Sequence, residues 1–159
     1  VSFHLHLDTE RVRHIRADEP VCVAPDVPLR NVLQDLRQAK RDSVLICESG
    51  KLVGIFTERD ALKLFAAKAA GEAVDLGVPI GSAMTRDPAY IGMDETVGAA
   101  IHKMSAGKLR RLPVVDDQHC PVGMLKVSHI LHYLVEHFPH VVYTLPPRPH
   151  HVTQQREGA

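Results

Sequence analysis

Thr57 and Asp60 stand three residues apart where an apolar run, Leu52 to Phe56, gives way to a helical pattern. That spacing has two chemical readings. A threonine at a helix N-cap accepts from an amide of the first turn, and an acid in that turn complements the positive end of the helix dipole. The same carboxylate can instead accept both hydroxyls of a sugar diol such as ribose, with the threonine hydroxyl as a further donor or acceptor. The helix terminus itself favours anions. Arg110 and Arg111, with Lys108 close by, precede a second apolar run, Leu112 to Val115. Two guanidinium forks there suit phosphate oxygens through directed, charge-assisted bonds, and the alternative is a solvated basic edge. Arg59 is a further cation that can serve an anion, face solvent or pair with Glu58. Lys126 and His129 repeat the three-residue spacing with different chemistry, since neither accepts two hydroxyl bonds as a carboxylate does.

These positions correspond because the chain says nearly the same thing twice. Asp18 to Asp26 aligns with Arg86 to Asp94, and Leu29, Val32, Leu33 and Leu36 fall on Val97, Ala100, Ile101 and Met104. Gly50 to Leu62 faces Cys120 to Leu131. The offset is 68 at the front (20 to 88) and 69 at the back (54 to 123), so one turn is a residue longer. Thr57 and Asp60 therefore face Lys126 and His129, while Asp42 and Ser43 stand where the second copy has Arg110 and Arg111. A repeat of this length predicts a duplicated unit whose copies pack on each other.

Each copy reads as strand, helix, strand, strand, helix. The strands are expected at Val21–Val23, Val44–Cys47 and Leu52–Phe56, then at Ala89–Ile91, Leu112–Val115 and Val122–Leu125. The first helix of each copy follows the apolar spacing i, i+3, i+4, i+7, with Thr96 placed to cap the second of them. Closing helices are expected at Arg59–Ala70 and Ser128–Phe138. The boundaries are residues 12–70 and 86–138 for the copies, with 71–85 as a linker containing a short helical turn. Residues 1–11 form an N-terminal arm, extended over Phe3–Leu7, and 139–159 a Pro- and His-containing solvated tail.

Composition narrows the class. Hydrophobic residues are 45% of the 159 but aromatics only 4%, so the core should be aliphatic. Lys and Arg number 19 and Asp and Glu 19, a balance that argues against a nucleic-acid partner. Cys22, Cys47 and Cys120 form no disulfide framework; Cys22 and Cys47 sit in apolar runs and are expected to be buried thiols in a reducing, cytoplasmic setting. No run is long and apolar enough for membrane insertion. Eleven histidines include close pairs, but no acid or cysteine completes a ligand set, so no metal site is expected. No nucleophile or acid–base constellation is present, and the chain does not read as an enzyme. It begins at Val1 rather than Met, which leaves room for its being a piece of a longer protein.

With both copies in order, the chain resembles a tandem pair of CBS (cystathionine β-synthase) domains, a Bateman module. The resemblance covers about Val12 to Glu136. It rests on Gly54 to Asp60, on Ala83 to Pro88 at the entry to the second copy, and on Arg110 to Asp116. It implies an α/β (α+β) fold of two pseudo-symmetric β-α-β-β-α repeats that binds AMP, ADP, ATP or S-adenosylmethionine between the copies and transmits to a partner or attached domain. It favours the ribose reading of Thr57 and Asp60, with Glu58 and Arg59 beside them and phosphates at Arg110 and Arg111. The base is then expected near Ala89 and Tyr90, with Ile55 on the opposite wall; Tyr90 either stacks on the base or is an outward-facing strand tyrosine. In the second, degenerate cleft of Val21, Lys126 and His129 the ribose site is lost, leaving an empty cleft or one that holds a phosphate on Lys126. The family habit and the apolar Leu62, Phe65, Leu131 and Leu134 imply a homodimer through the closing helices. The alternative is a ligand-free dimerisation or protein-docking module for an unknown protein partner.

Overall fold

The computed structural model describes residues 7–138. The tail from Pro139 and all of the N-terminal arm before Leu7 lie outside the described residues, and Leu7 itself sits in a turn.

The first half runs β1 (Cys22–Val23), α1 (Leu29–Ala39), β2 (Ser43–Glu48), β3 (Lys51–Thr57) and α2 (Glu58–Ala69). After it comes β4 (Thr85–Arg86). The second half repeats the order as β5 (Ile91–Gly92), α3 (Val97–Gly107), β6 (Arg111–Val115), β7 (Pro121–Lys126) and α4 (Val127–His137). One sheet has the order β1-β2-β3-β4 and the other β5-β6-β7. β1 lies parallel to β2, and β5 to β6, because a helix crosses over between them; each tight hairpin makes its pair antiparallel. This is the mixed α+β pair of repeats that the element order predicts.

The apolar spacing does what it should. Leu29, Val32 and Leu36 bury one face of α1, and Val97, Ala100 and Met104 one face of α3. Thr96 Oγ1 accepts from the Ala99 amide at 3.0 Å and caps α3. Both helices end on a lysine in the left-handed conformation, Lys40 at φ 50° and Lys108 at φ 51°, a place where glycine is commoner. That reversal sends Lys108 to Arg111 back across the start of β6.

The expected linker carries its turn, a 3₁₀ helix at Ile80–Ser82, and also β4, which pairs antiparallel with β3. Ile80 is fully buried in the core of the first half, and the Leu29 and Arg30 amides donate to the Val78 and Leu76 carbonyls, each at 2.9 Å. The matching 3₁₀ turn, Val12–His14, goes the other way: Val12 and Ile15 belong to the core of the second half. There the Val12 amide donates to the Glu95 carbonyl at 3.0 Å, and the Tyr133 hydroxyl of α4 donates to Glu10 at 2.6 Å. Leading segments are thus exchanged between the halves. A third cluster, Leu45, Leu52, Val115 and Met124, joins the two sheets.

The thiols need a correction. Cys22 is exposed, because β1 is an edge strand, and Cys47 is only partly buried. Burial, with Cys22 and Cys120 nearby, pushes the Cys47 thiol up to about 12. Among the described residues no helix is long and apolar enough to cross a membrane.

Candidate functional site

Strand β3 ends on Thr57 and α2 begins at the next residue, so Thr57 is the N-cap. Its hydroxyl accepts from the Asp60 amide at 3.4 Å. Asp60 Oδ2 accepts in return from the Thr57 amide at 2.9 Å and the Thr57 hydroxyl at 3.1 Å. The capping box is real, and it uses one carboxylate oxygen. Asp60 Oδ1 has no hydrogen-bond partner among the described residues, so the cap leaves acceptor capacity for a diol rather than competing with it. The two readings of this pair are compatible.

Facing the cap is the basic run that the αL turn at Lys108 delivers. A cleft of about 400 Å³ lies between, lined by Ile55, Thr57, Glu58, Arg59 and Asp60 from the first half and by Lys108, Leu109, Arg110 and Arg111 from the second. Thr85, Pro88, Ala89 and Pro113 complete it. Four cations face two carboxylates, so the cleft suits an anion. Its carboxylate end and its basic end come from different halves.

The structure thus brings together every residue expected for this cleft except Tyr90. Along the extended run Tyr90 points away from Ala89. Its ring meets His119 edge-on at 4.7 Å, and Lys103 lies 5.4 Å over it while bonding the Tyr90 carbonyl at 2.9 Å. It offers no stacking face to the cleft. Sequence reasoning did not assign Thr85, Pro88, Leu109 or Pro113, which carry no chemical signal of their own and enter through the pairing of β4 with β3 and the course of β6.

The second cleft is closed by the protein's own ions. Only about 10 Å³ remains among Val21, Asp18, Asp42, Met124, Lys126 and their neighbours. Lys126 Nζ lies 3.0 Å from Asp18 and 3.7 Å from Asp42. His129 Nδ1 accepts from the Lys126 amide at 3.0 Å, repeating the Asp60 arrangement. The Lys126 ammonium, a donor only, cannot supply the other half of the box. With Nδ1 accepting, the neutral ring carries its proton on Nε2, which faces Asp18 Oδ1 at 3.4 Å. Lys126, through its hydrogen bond first, holds the Asp18 carboxyl below its ordinary range; burial opposes this, and the charges of Lys126 and Arg41 add to it. The sequence signal for this network is the acid at Asp42 where the second copy has a base.

Arg111 joins the same network, with Nη1 2.6 Å from Asp42 Oδ1. Arg110 and Arg59 are exposed at the mouth of the open cleft.

A profile of the CBS domain matches residues 12–67 and 80–136. Among curated relatives, the uncharacterized protein MJ1404 of Methanocaldococcus jannaschii is 33% identical over 111 residues, covering 69% of this chain and 25% of that protein. The CBS domain-containing protein CBSCBSPB3 of Arabidopsis thaliana is 28% identical over 110 residues, covering 69% of this chain and 19% of that one. The chain therefore spans a quarter or less of these relatives. Among solved structures, the CBS domain pair of protein MJ0100, in complex with 5′-methylthioadenosine and S-adenosyl-L-methionine, superposes with a TM-score of 0.66 at 26% identity, covering 79% of this chain and 96% of that one. The complex of CBSX2 with AMP superposes with a TM-score of 0.68 at 22% identity, covering 80% of this chain and 97% of that one; at that identity the likeness speaks for the fold.

Proposed function

Since the chain belongs to the CBS domain family, as a tandem pair of its repeats, we propose that it is a regulatory module that binds one adenine nucleotide per chain in the open cleft. The observation that carries this is the meeting of a capped carboxylate, Asp60, with the basic run Lys108 to Arg111 across that cleft. Asp60 Oδ1 accepts both ribose hydroxyls with the Thr57 hydroxyl beside it, Ile55 and Ala89 flank the base, and Arg110 and Arg111 take the phosphate, with Arg59 at the mouth. Adenosine chemistry is favoured by the 26% identical pair described with two adenosine compounds. A phosphorylated adenosine is favoured over a sulfonium by the cation surplus of this cleft. The closed cleft of Val21, Asp42 and Lys126 takes no second nucleotide; His129, expected there, lines a separate groove with Asp18, His132 and Tyr133 instead.

CBS pairs are generally regulatory, and the response here is passed to an attached or partner domain by the relative position of the two halves. The chain works as a homodimer through α2 and α4, where Leu62, Phe65 and Leu131 are 69%, 50% and 58% exposed. Leu134 packs against the core instead and adds less to that face. The same exposed face supports a second reading, a ligand-free dimerisation or docking module. Calorimetry of the full chain with AMP, ADP, ATP, NADH and S-adenosylmethionine separates the two. Binding of a nucleotide at one site per chain supports the first, and no binding of any adenosine compound at millimolar concentration hands the module to the second.

A further inference from the structure

Arg111 is engaged before any ligand arrives. Its Nη1 reaches Asp42 Oδ1 at 2.6 Å across the boundary between the halves, with both side chains partly exposed at 24% and 31%. The attraction is one of charge rather than alignment: that nitrogen is buried and has no hydrogen-bond partner among the described residues. Asp42 is itself anchored and shared. Its carbonyl accepts the Glu58 amide at 3.0 Å, which fixes its backbone at the start of α2. The Ser43 hydroxyl donates to Oδ1 at 3.3 Å, and Lys126 stands 3.7 Å from Oδ2. The carboxylate therefore sits on the wall between the open cleft and the closed one, with a cation on each side.

We propose that Asp42 is a specificity-determining residue of the open cleft, an internal counter-ion that competes with the ligand for Arg111. The inference rests on the nucleotide reading above. A phosphate dianion presents oxygens that match the guanidinium fork with two directed bonds, which Asp42 does not supply at Nη1. When the phosphate takes Arg111, Asp42 keeps Lys126 as a counter-ion, so the exchange strands no charge. A nucleoside without phosphate has nothing to offer Arg111 and leaves the pair in place. Asp42 thus lowers the affinity for phosphorylated adenosines selectively, and it makes the release of Arg111 part of phosphate binding.

The test is calorimetric titration of AMP and of adenosine into the full chain, as wild type, Asp42→Asn, Arg111→Gln and the double variant. Asp42→Asn is expected to tighten AMP about threefold or more, the scale of one partly exposed ion pair. Adenosine should stay within about twofold of wild type. Arg111→Gln should weaken AMP alone, and in that background Asp42→Asn should have no further effect on AMP, as a shared interaction requires. Asp42→Ser, which keeps a small polar group beside Ser43, repeats the measurement should the asparagine variant fold poorly. AMP affinity unchanged or weakened in a folded Asp42 variant overturns the proposal, because Asp42 would then merely hold Arg111 in place. A wild-type chain that binds neither AMP nor adenosine overturns this inference, and the nucleotide reading falls with it only if ADP, ATP, NADH and S-adenosylmethionine also fail to bind.

Discussion

Replacing Asp60 by alanine separates two roles that one side chain carries. Oδ2 is spent on the Thr57 amide and hydroxyl at 2.9 and 3.1 Å, while Oδ1 is left for the ligand. The stability cost is therefore that of a cap, about 1 kcal/mol. The affinity cost is that of two hydrogen bonds from ribose hydroxyls to a charged group, each about 1.5 kcal/mol or more. Together these make about 3 kcal/mol, or roughly a hundredfold in Kd. Calorimetry with the nucleotide that wild type binds best gives the second quantity, and urea unfolding without ligand gives the first. His129→Ala serves as the control and should change affinity little. A loss of stability with Kd within about threefold of wild type would refute the ribose assignment and leave Asp60 a capping residue alone. Loss of binding in His129→Ala with Asp60→Ala intact would mean that the wrong cleft was chosen.

Three further outcomes are expected. The Asp18 carboxyl is held below its ordinary 3.8, so its contribution is fully present above about pH 4 and is lost as pH falls through the lower folded value; the stability gap between wild type and Lys126→Met should shrink over that acid range, and a gap constant with pH would sink the argument. A Cβ at Gly54 would collide with the Met84 side chain, whose flexible end can swing aside, so Gly54→Ala should cost about 1 kcal/mol and Met84→Ala should remove most of the penalty; strictly additive effects in urea melts would count against this. Sedimentation at micromolar concentration should give a dimer for wild type and a monomer for Leu62→Glu combined with Leu131→Glu, and a monomeric wild type would refute the assembly.

The strands and helices were legible because alternation and the i, i+3, i+4 spacing survive in both copies, and Thr57 announced its own cap. The repeat alone pairs Asp60 with His129 and Arg110 with Asp42; that Arg110 and Arg111 face Asp60 across a cleft followed from the resemblance to CBS pairs. Tyr90 was misplaced because one residue along an extended run reverses a side chain, and no composition signal fixes where β5 starts; the strand begins at Ile91 rather than Ala89. The Asp42–Arg111 pair was invisible for another reason. Both members were noted, but Asp42 was aligned with Arg110 and Arg111 with Ser43, and a pseudo-symmetric fold can bring such neighbouring positions of the two copies into contact across its axis. Cys22 looked buried because its neighbours are apolar, a signal that does not distinguish a central strand from an edge.

The exchange of leading segments has a consequence for how the molecule can be divided. Severed after Ala70, the front piece would lack Ile80, which fills its core, and the rear piece would lack Val12 and Ile15. Neither fragment is self-sufficient, yet each carries the other's missing plug. Two separately produced fragments should be poorly ordered alone and reassemble on mixing, as in a split reporter. In the intact chain the same interleaving makes the halves melt as one unit, so energy gained by a ligand at their seam is spread over the whole module instead of being absorbed by one repeat.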